Sequence, residues 1–194
     1  MEKNNDVNQS NFWENRYKKE EIGWDLGAET PVFTALSDTL DPGKVCILGC
    51  GNGYDAILFS KKGFSVTAVD FAETPIHNLE TNARSLSLSI ETIKKDIFDL
   101  TPDYSSQFDY IIEQTCFCAI DPLKREQYSN LVYDLLKVGG KLIGLWMPLD
   151  KDIDEKLLYV PDNSASLLIV YKQNNSMHYS LNYKLTGNRI LQYD

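Results

Sequence analysis

The 194-residue sequence contains no uninterrupted apolar run of the ~18 residues that a membrane-spanning helix needs. A membrane partner is therefore not expected. Its first ten residues, Met1 to Ser10, are polar where a secretory signal would be apolar, which points to a soluble, cytoplasmic protein. No basic block is present either, since 19 Lys and Arg stand against 28 Asp and Glu for a formal net charge of −9. Tracking phosphates requires positive surface, so a nucleic-acid partner is disfavoured. Cysteine and histidine are scarce: Cys46, Cys50, Cys116, Cys118, His77 and His178 are all there are. Their spacings match no zinc framework, so no metal is expected, and free thiols at or near strand ends are the default without a secretory signal. Internal repeats and Gly/Ser-rich or Pro-rich linkers are also missing, so residues 1–194 are expected to form one domain.

What is present is an alternation of apolar patterns in a chain of ordinary globular composition, 43% hydrophobic and 24% charged. Val45 to Leu48 is a short apolar run ending in glycines, which reads as a buried strand. A helical stretch from Tyr54 to Lys62 follows, with Ala56, Ile57, Phe59 and Ser60 on one face and Gly63 at its stop. Ser65 to Val69, closing on Asp70, reads as a second strand, and Pro75 to Arg84 as a helix with Ile76, Leu79, Asn82 and Ala83 on its face. Ile90 to Lys94 and Phe108 to Glu113 continue the strands, a helix runs from Pro122 to about Leu136, Gly139-Gly140 ends it, and Lys141 to Met147 is the fifth strand. Because crossover connections are right-handed, this order predicts an α/β fold with a doubly wound, mostly parallel sheet, binding ligands at the carboxyl ends of its strands.

Both ends depart from that alternation. Residues 1–33 carry Phe12, Trp13, Tyr17 and Trp24 and read as a helix plus an extended segment, residues 34–150 form the repeating core, and residues 151–194 turn rich in Asn, Ser and Tyr. Within the last part, Ala165 to Lys172 and Met177 to Leu185 read as an antiparallel hairpin, which Arg189 to Tyr193 can extend.

The most specific motif is Gly49-Cys50-Gly51-Asn52-Gly53, leading from the first strand into its helix. Alternate glycines allow a tight turn and let a ligand approach the backbone. Seventeen residues past Gly53, Asp70 ends the second strand, where a carboxylate can accept both hydroxyls of a ribose. A dinucleotide fingerprint needs its third glycine where Tyr54 stands, so that reading fails, whereas G-x-G-x-G is the form used by enzymes that bind S-adenosylmethionine. Asp96 follows the third strand, where it can bond an adenine amino group while Ile97 and Phe98 cover the ring. Glu113-Gln114-Thr115-Cys116-Phe117 ends the fourth strand at the same edge and can line a reacting centre, although core packing accounts for Cys116 and Phe117 equally well.

From Phe12 to Asp150 the chain resembles the class I S-adenosylmethionine-dependent methyltransferases, and among them the thiopurine S-methyltransferase family, which includes thiol and halide methyltransferases. The marks are Phe12-Trp13-Glu14-Asn15-Arg16-Tyr17, Gly23-Trp24-Asp25-Leu26-Gly27 with Pro31, the glycine motif, and Glu113-Gln114-Thr115 before Cys118-Ala119-Ile120. The resemblance implies a Rossmann-like methyltransferase fold with an aromatic N-terminal flap. Carried over residue by residue, it implies cofactor contacts from Trp13, Tyr17 and Trp24 in the flap, from Gly49, Gly51 and Gly53 in the loop, from Asp70 at the ribose and from Asp96 and Ile97 at the adenine. Glu113 and Gln114 fall where the family approaches the methionine part of the cofactor or the substrate. Some relatives carry an arginine at the Gln114 position, which makes an anionic, thiopurine-like acceptor less supported here.

The reaction implied is in-line displacement at the sulfonium methyl by a thiol, a thiopurine-like acceptor or a halide, with S-adenosylhomocysteine as product. A thiolate needs little base assistance, so alignment and exclusion of water would carry catalysis, with Glu113 and Tyr17 as the candidates for polar catalytic roles. The implied partner is a small-molecule methyl acceptor, and the chain is expected to be a monomer or weak dimer. DNA amino-methyltransferases are disfavoured, because the fourth strand lacks an Asn/Asp-Pro-Pro-aromatic motif. Two alternatives stay open: a methyltransferase of another small metabolite, and a catalytically idle cofactor-binding protein. The second arises because Lys151-Asp152-Ile153-Asp154-Glu155-Lys156 follows Asp150 where the family has a Gly-Gly-Pro-Pro-type segment. The end is therefore read as shortened or replaced.

Overall fold

The computed structural model describes residues 6–146 in full, together with the backbone of three later strands. In chain order the elements are α1 (Ser10–Lys18), α2 (Pro31–Ser37), β1 (Lys44–Leu48), α3 (Tyr54–Lys61), β2 (Ser65–Asp70), α4 (Glu73–Ser85) and β3 (Ile90–Lys94). They continue with α5 (Thr101–Tyr104), β4 (Phe108–Gln114), α6 (Cys116–Ala119), α7 (Arg125–Leu135), β5 (Leu136–Trp146), β6 (Ser166–Gln173), β7 (Ser176–Thr186) and β8 (Arg189–Tyr193). Short 3-10 turns at Ile97–Asp99 and Pro122–Lys124 precede α5 and α7.

The strands hydrogen-bond in the order β3-β2-β1-β4-β5-β6-β7-β8, parallel from β3 through β5 and antiparallel beyond. The doubly wound, mostly parallel α/β sheet expected from the alternation, and the Rossmann-like fold implied by the resemblance, are what is observed. The chain winds outward from β1 through β2 to β3, then returns to lay β4 on the other side of β1. At that reversal the loops after β1 and β4 leave in opposite directions and open a crevice above the sheet.

Strands covered on both faces must be apolar throughout, which is why β1 and β2 read as nearly continuous apolar runs. One face packs Phe33 of α2, Ala56 and Phe59 of α3 and Leu79 of α4 against Val45, Ile47 and Ile112. The other packs Tyr128, Leu131 and Leu135 of α7 against Leu48, Ile111 and Leu142. Fully buried side chains such as Phe33 and Phe59 each contribute ~1.5–3 kcal/mol relative to exposure.

Four local readings change. Asn82 is exposed, and the inner face of α4 is instead Pro75, Ile76, Leu79 and Ala83. Strand β5 begins at Leu136 rather than Lys141, because Leu135 closes α7 and the chain enters the sheet at once, with Gly139 at φ +84° and a register shift opposite Phe108 and Tyr110. Cys116 and Cys118 sit on the short helix α6, since Thr115 at φ +60° turns the chain out of β4. The segment at Ile97 is a 3-10 turn capped by Asp96, whose Oδ1 accepts the Phe98 N–H at 3.1 Å. The acidic run Lys151 to Lys156, and with it the reading of a shortened or replaced end, lies outside the described residues.

Helix α1 reaches the core through one carboxylate. Helix α4 has Ala72 at its cap position and no capping side chain of its own. Glu14 supplies the acceptor from α1, with Oε2 taking the N–H groups of Glu73 and Thr74 at 2.9 Å each and Oε1 the Thr74 hydroxyl at 2.7 Å. Partial burial pushes this carboxyl up, but the bonds from Thr74 and the Lys18 ammonium at 3.1 Å outweigh it and hold its pKa at about 2. That anchor sets the aromatic side chains of α1 above the crevice.

Candidate active site

The crevice is built on the glycine turn. Gly49 has φ +61°, and a Cβ there would stand 2.9 Å from Cys116 Sγ. Only a bare backbone lets the β1 loop and α6 approach this closely. A Cβ on Gly51 would lie 3.2 Å from the Tyr17 hydroxyl, so α1 closes directly on the loop. Gly53 does something else: its Cβ would fall 2.3 Å from Leu79 Cδ1, and it lines neither cavity described below. The third glycine lets α3 start against α4.

Asp70 ends β2 and is buried. Its Oδ2 accepts the Gly51 N–H at 2.9 Å and its Oδ1 the Ala72 N–H at 2.9 Å, which locks the glycine turn to the end of β2. Burial pushes the Asp70 carboxyl up, against the pull of the N–H groups of Ala72 and Gly51. A carboxylate oxygen can accept more than one hydrogen bond, so Asp70 keeps acceptor capacity beyond these N–H groups.

Above these groups lies a cleft enclosing about 850 Å³ of open space, counting its mouth. Gly49, Asp70 and Phe71 form its floor, Asp96, Ile97 and Phe98 one wall, Gln114, Thr115 and Cys116 the other, and Trp13, Tyr17 and Trp24 the cover. A smaller cavity of about 480 Å³ continues past Tyr17 between the glycine loop and Asp25, Tyr54, Asp55 and Gln114. Thus Trp13, Tyr17, Trp24, Gly49, Asp70, Asp96, Ile97 and Gln114 line the cleft, and Gly51 lines the smaller cavity, which shares Tyr17, Trp24, Gly49 and Gln114 with it.

The cover is an aromatic cluster held by few polar ties. Trp24 meets Trp13 and Tyr17 edge-on, with centroids 5.6 and 5.9 Å away. The Trp13 indole donates to the Val7 carbonyl at 2.8 Å, and Gln114 Nε2 donates to the Trp24 carbonyl at 3.3 Å. Thr30 donates its N–H and hydroxyl to Asp55 at 2.8 and 2.9 Å, and Asn52 donates to Asp25 at 2.5 Å. Burial, reinforced by the nearby Asp70 charge, pushes the Tyr17 phenol up, so it stays protonated at any working pH.

Glu113 lines neither cavity. Adjacent residues of a strand point to opposite faces, so Gln114 facing the cleft sends Glu113 to the α7 side. There it is fully buried, and Oε2 accepts the Phe117 N–H at 3.1 Å, capping α6. Burial raises its pKa to about 8. Among the described residues no group of three or more His, Cys, Asp and Glu is arranged to hold a metal, and no helix is long and apolar enough to cross a membrane.

Comparison with known proteins bears on this arrangement. The model of the family described as thiopurine S-methyltransferase matches residues 8–180, nearly the whole chain. The chain belongs to the thiopurine S-methyltransferase family. It is 32% identical over 148 residues to the "Probable thiol methyltransferase 2" of Arabidopsis thaliana, covering 74% of this chain and 65% of that one. It is 33% identical over 141 residues to thiocyanate methyltransferase 1 of Arabidopsis thaliana, covering 71% and 61%. The matched stretch therefore spans less than two thirds of either relative. A solved structure described under the conversion of a disulfide bond into a thioacetal group in echinomycin biosynthesis superposes with a TM-score of 0.67 at 20% identity, covering 94% of this chain and 87% of that one, which is a likeness of fold.

Within this family member, several cleft residues escape a reading of the sequence. For Phe71 the one signal is its place directly after Asp70, where the chain leaves β2. Asn8 and Asp121 carried no signal, since they meet only across 113 positions, where Asn8 Nδ2 donates to Asp121 Oδ2 at 3.1 Å on the cleft rim.

Proposed function

We propose that this family member transfers a methyl group from S-adenosylmethionine to a small soft nucleophile, a thiol, a thiopurine-like compound or a halide, and releases S-adenosylhomocysteine. The observation that carries this reading is the single cleft on which Gly49, Asp70 and Asp96 converge from the ends of three neighbouring parallel strands. When bound, the cofactor supplies a methyl group made electrophilic by a sulfonium.

The residues present suit that group. The bare Gly49 backbone leaves space at the floor, and the spare acceptor capacity of Asp70 suits ribose hydroxyls. Ile97 and Phe98 offer apolar surface for an adenine beside Asp96. The floor and wall are acidic at Asp70 and Asp96, which favours a sulfonium and an ammonium. Gln114 lines both cavities and donates to the Trp24 carbonyl, so it links the cleft wall to the cover.

A soft nucleophile gains little from a general base, so the chain's work is to align the reactants and exclude water. Trp13, Tyr17 and Trp24 supply the water-excluding cover, and the Tyr17 hydroxyl, close over Gly51, is the polar group offered to the reacting centre. Glu113 acts through α6, by fixing the wall that carries Thr115 and Cys116. Incubation with methyl-labelled S-adenosylmethionine and, in turn, hydrosulfide, thiophenol, iodide and a thiopurine tests the proposal. Label transfer to at least one is expected; tight cofactor binding without transfer to any would leave a binding protein instead.

A further inference from the structure

Gln114 is common to the cleft, the smaller cavity and the support of the cover. The oxygen and the NH2 of its amide are nearly alike in size, so hydrogen-bond partners decide which way it faces. One end is settled. The Trp24 carbonyl can only accept, so it takes Nε2 at 3.3 Å and turns Oε1 the other way. There Oε1 meets the Thr30 hydroxyl, also at 3.3 Å.

Thr30 stands at the start of α2 and is buried. Its hydroxyl has a second neighbour, Asp55 Oδ2 on α3 at 2.9 Å, while its N–H donates to Asp55 Oδ1 at 2.8 Å. A threonine hydroxyl carries one proton, and here two oxygens face it. With Asp55 ionised, that proton goes to the charged oxygen at the shorter distance, and Gln114 Oε1 is left facing lone pairs. With a proton on Asp55 Oδ2, the acid donates to Thr30, the hydroxyl turns to Gln114, and every acceptor along the chain is satisfied. The surroundings favour the second arrangement. Among the described residues no ion pair involves Asp55, and no Lys, Arg or His lines its cavity. The charged neighbours are Asp25 on the same cavity wall and Glu29, both acids, and burial pushes the Asp55 carboxyl up in spite of its bonds from Thr30.

We propose that Asp55 and Thr30 are positioning residues for methyl transfer, passing a donor from Asp55 through Thr30 to Gln114 and so aiming the Gln114 amide at the Trp24 carbonyl. The chain of bonds joins α3, the start of α2, the end of β4 and the cover. A Gln114 amide turned over would set its oxygen against the Trp24 carbonyl, two acceptors face to face, and release the cover from the cleft wall. The consequence for kinetics rests on the methyl-transfer reading of the cleft; the orientation of the amide does not.

Three substitutions separate the parts. Thr30→Val keeps the shape and removes the hydroxyl, Thr30→Ser keeps the hydroxyl, and Asp55→Asn puts a permanent donor beside an acceptor where the carboxylic acid stood. Nitrogen-resolved NMR of the full chain reads the Gln114 side-chain NH2, assigned through its loss in Gln114→Leu, and the same samples are assayed for transfer from methyl-labelled S-adenosylmethionine. Thr30→Val should move the Gln114 signals, speed their exchange with water and raise the acceptor KM by about 3- to 10-fold, the size of one lost hydrogen bond. Thr30→Ser and Asp55→Asn should keep both readouts near those of the wild type. A purely structural part for Thr30 would lower the melting temperature and leave the Gln114 signals in place, and that result in a sample that melts cooperatively overturns the positioning role. Asp55→Asn that disturbs Gln114 as much as Thr30→Val does would overturn the proton on Asp55. A wild type that methylates no acceptor sinks the functional reading instead, and the Gln114 signals still decide whether the amide is held.

Discussion

A Cβ on Gly49 would stand 2.9 Å from the Sγ of Cys116, so the turn after β1 and the helix after β4 meet with no room for a side chain between them. Replacing Gly49 by Ala forces an L-residue to φ +61° and pushes α6 or the glycine turn out of place. We expect Gly49→Ala to weaken S-adenosylhomocysteine binding by ~10-fold or more, equivalent to ~1.4 kcal/mol, in a calorimetric titration. Wild-type affinity would show that the contact is not part of the binding floor.

Gly53→Ala should behave in the opposite way. Its Cβ collides with Leu79, in the core between α3 and α4 and away from the cleft lining. Thermal unfolding should report a loss of ~1–3 kcal/mol, while the folded fraction keeps its cofactor affinity. A variant that stays stable but loses affinity would return Gly53 to the binding site.

Asp70→Ala removes the acceptor of two backbone N–H groups as well as the proposed ribose contact. Both stability and S-adenosylmethionine affinity should fall, the affinity by at least ~10-fold. Unchanged affinity in a folded sample would take Asp70 out of the site.

Glu113 carries a pH signature. Its folded pKa of about 8 lies above the ~4.3 of an unfolded glutamate, so the native state binds the proton more tightly. Its favourable contribution is therefore complete below ~4.3 and lost as pH rises through about 8. Glu113→Gln does not titrate, so its melting temperature should gain on that of the wild type across this window and level off above it. Parallel curves from pH 4 to 9 would mean Glu113 ionises freely.

Glu14 has the opposite sign. Its folded pKa of about 2 lies below the unfolded ~4.3, so its capping of α4 stabilises fully above ~4.3 and fades as pH falls toward about 2. Wild type and Glu14→Gln should differ most in melting temperature near neutrality and converge in acid. A difference that persists at pH 2 would place the effect elsewhere.

Much of this architecture is legible in the sequence because each early strand carries its own punctuation. The run of β1 gives way to Gly49 and that of β2 closes on Asp70, and the glycine spacing with that aspartate points to the cleft. Other features have no local signal. Leu135 and Leu136 are both fully buried, one closing a helix and the next opening a strand, and periodicity cannot separate them. In β4, Ile111 and Ile112 are equally buried on opposite faces, so nothing in the pattern says whether Glu113 or Gln114 faces the ligand. The Glu14 cap on Thr74 spans 60 positions and exists only once α1 docks.

The most direct measurement is calorimetric titration of the folded chain with S-adenosylmethionine. Saturable binding to one site, weakened together by Gly49→Ala and Asp70→Ala, is the expected result. No detectable binding by a sample that melts cooperatively would contradict the assignment of the cleft to a methyl donor.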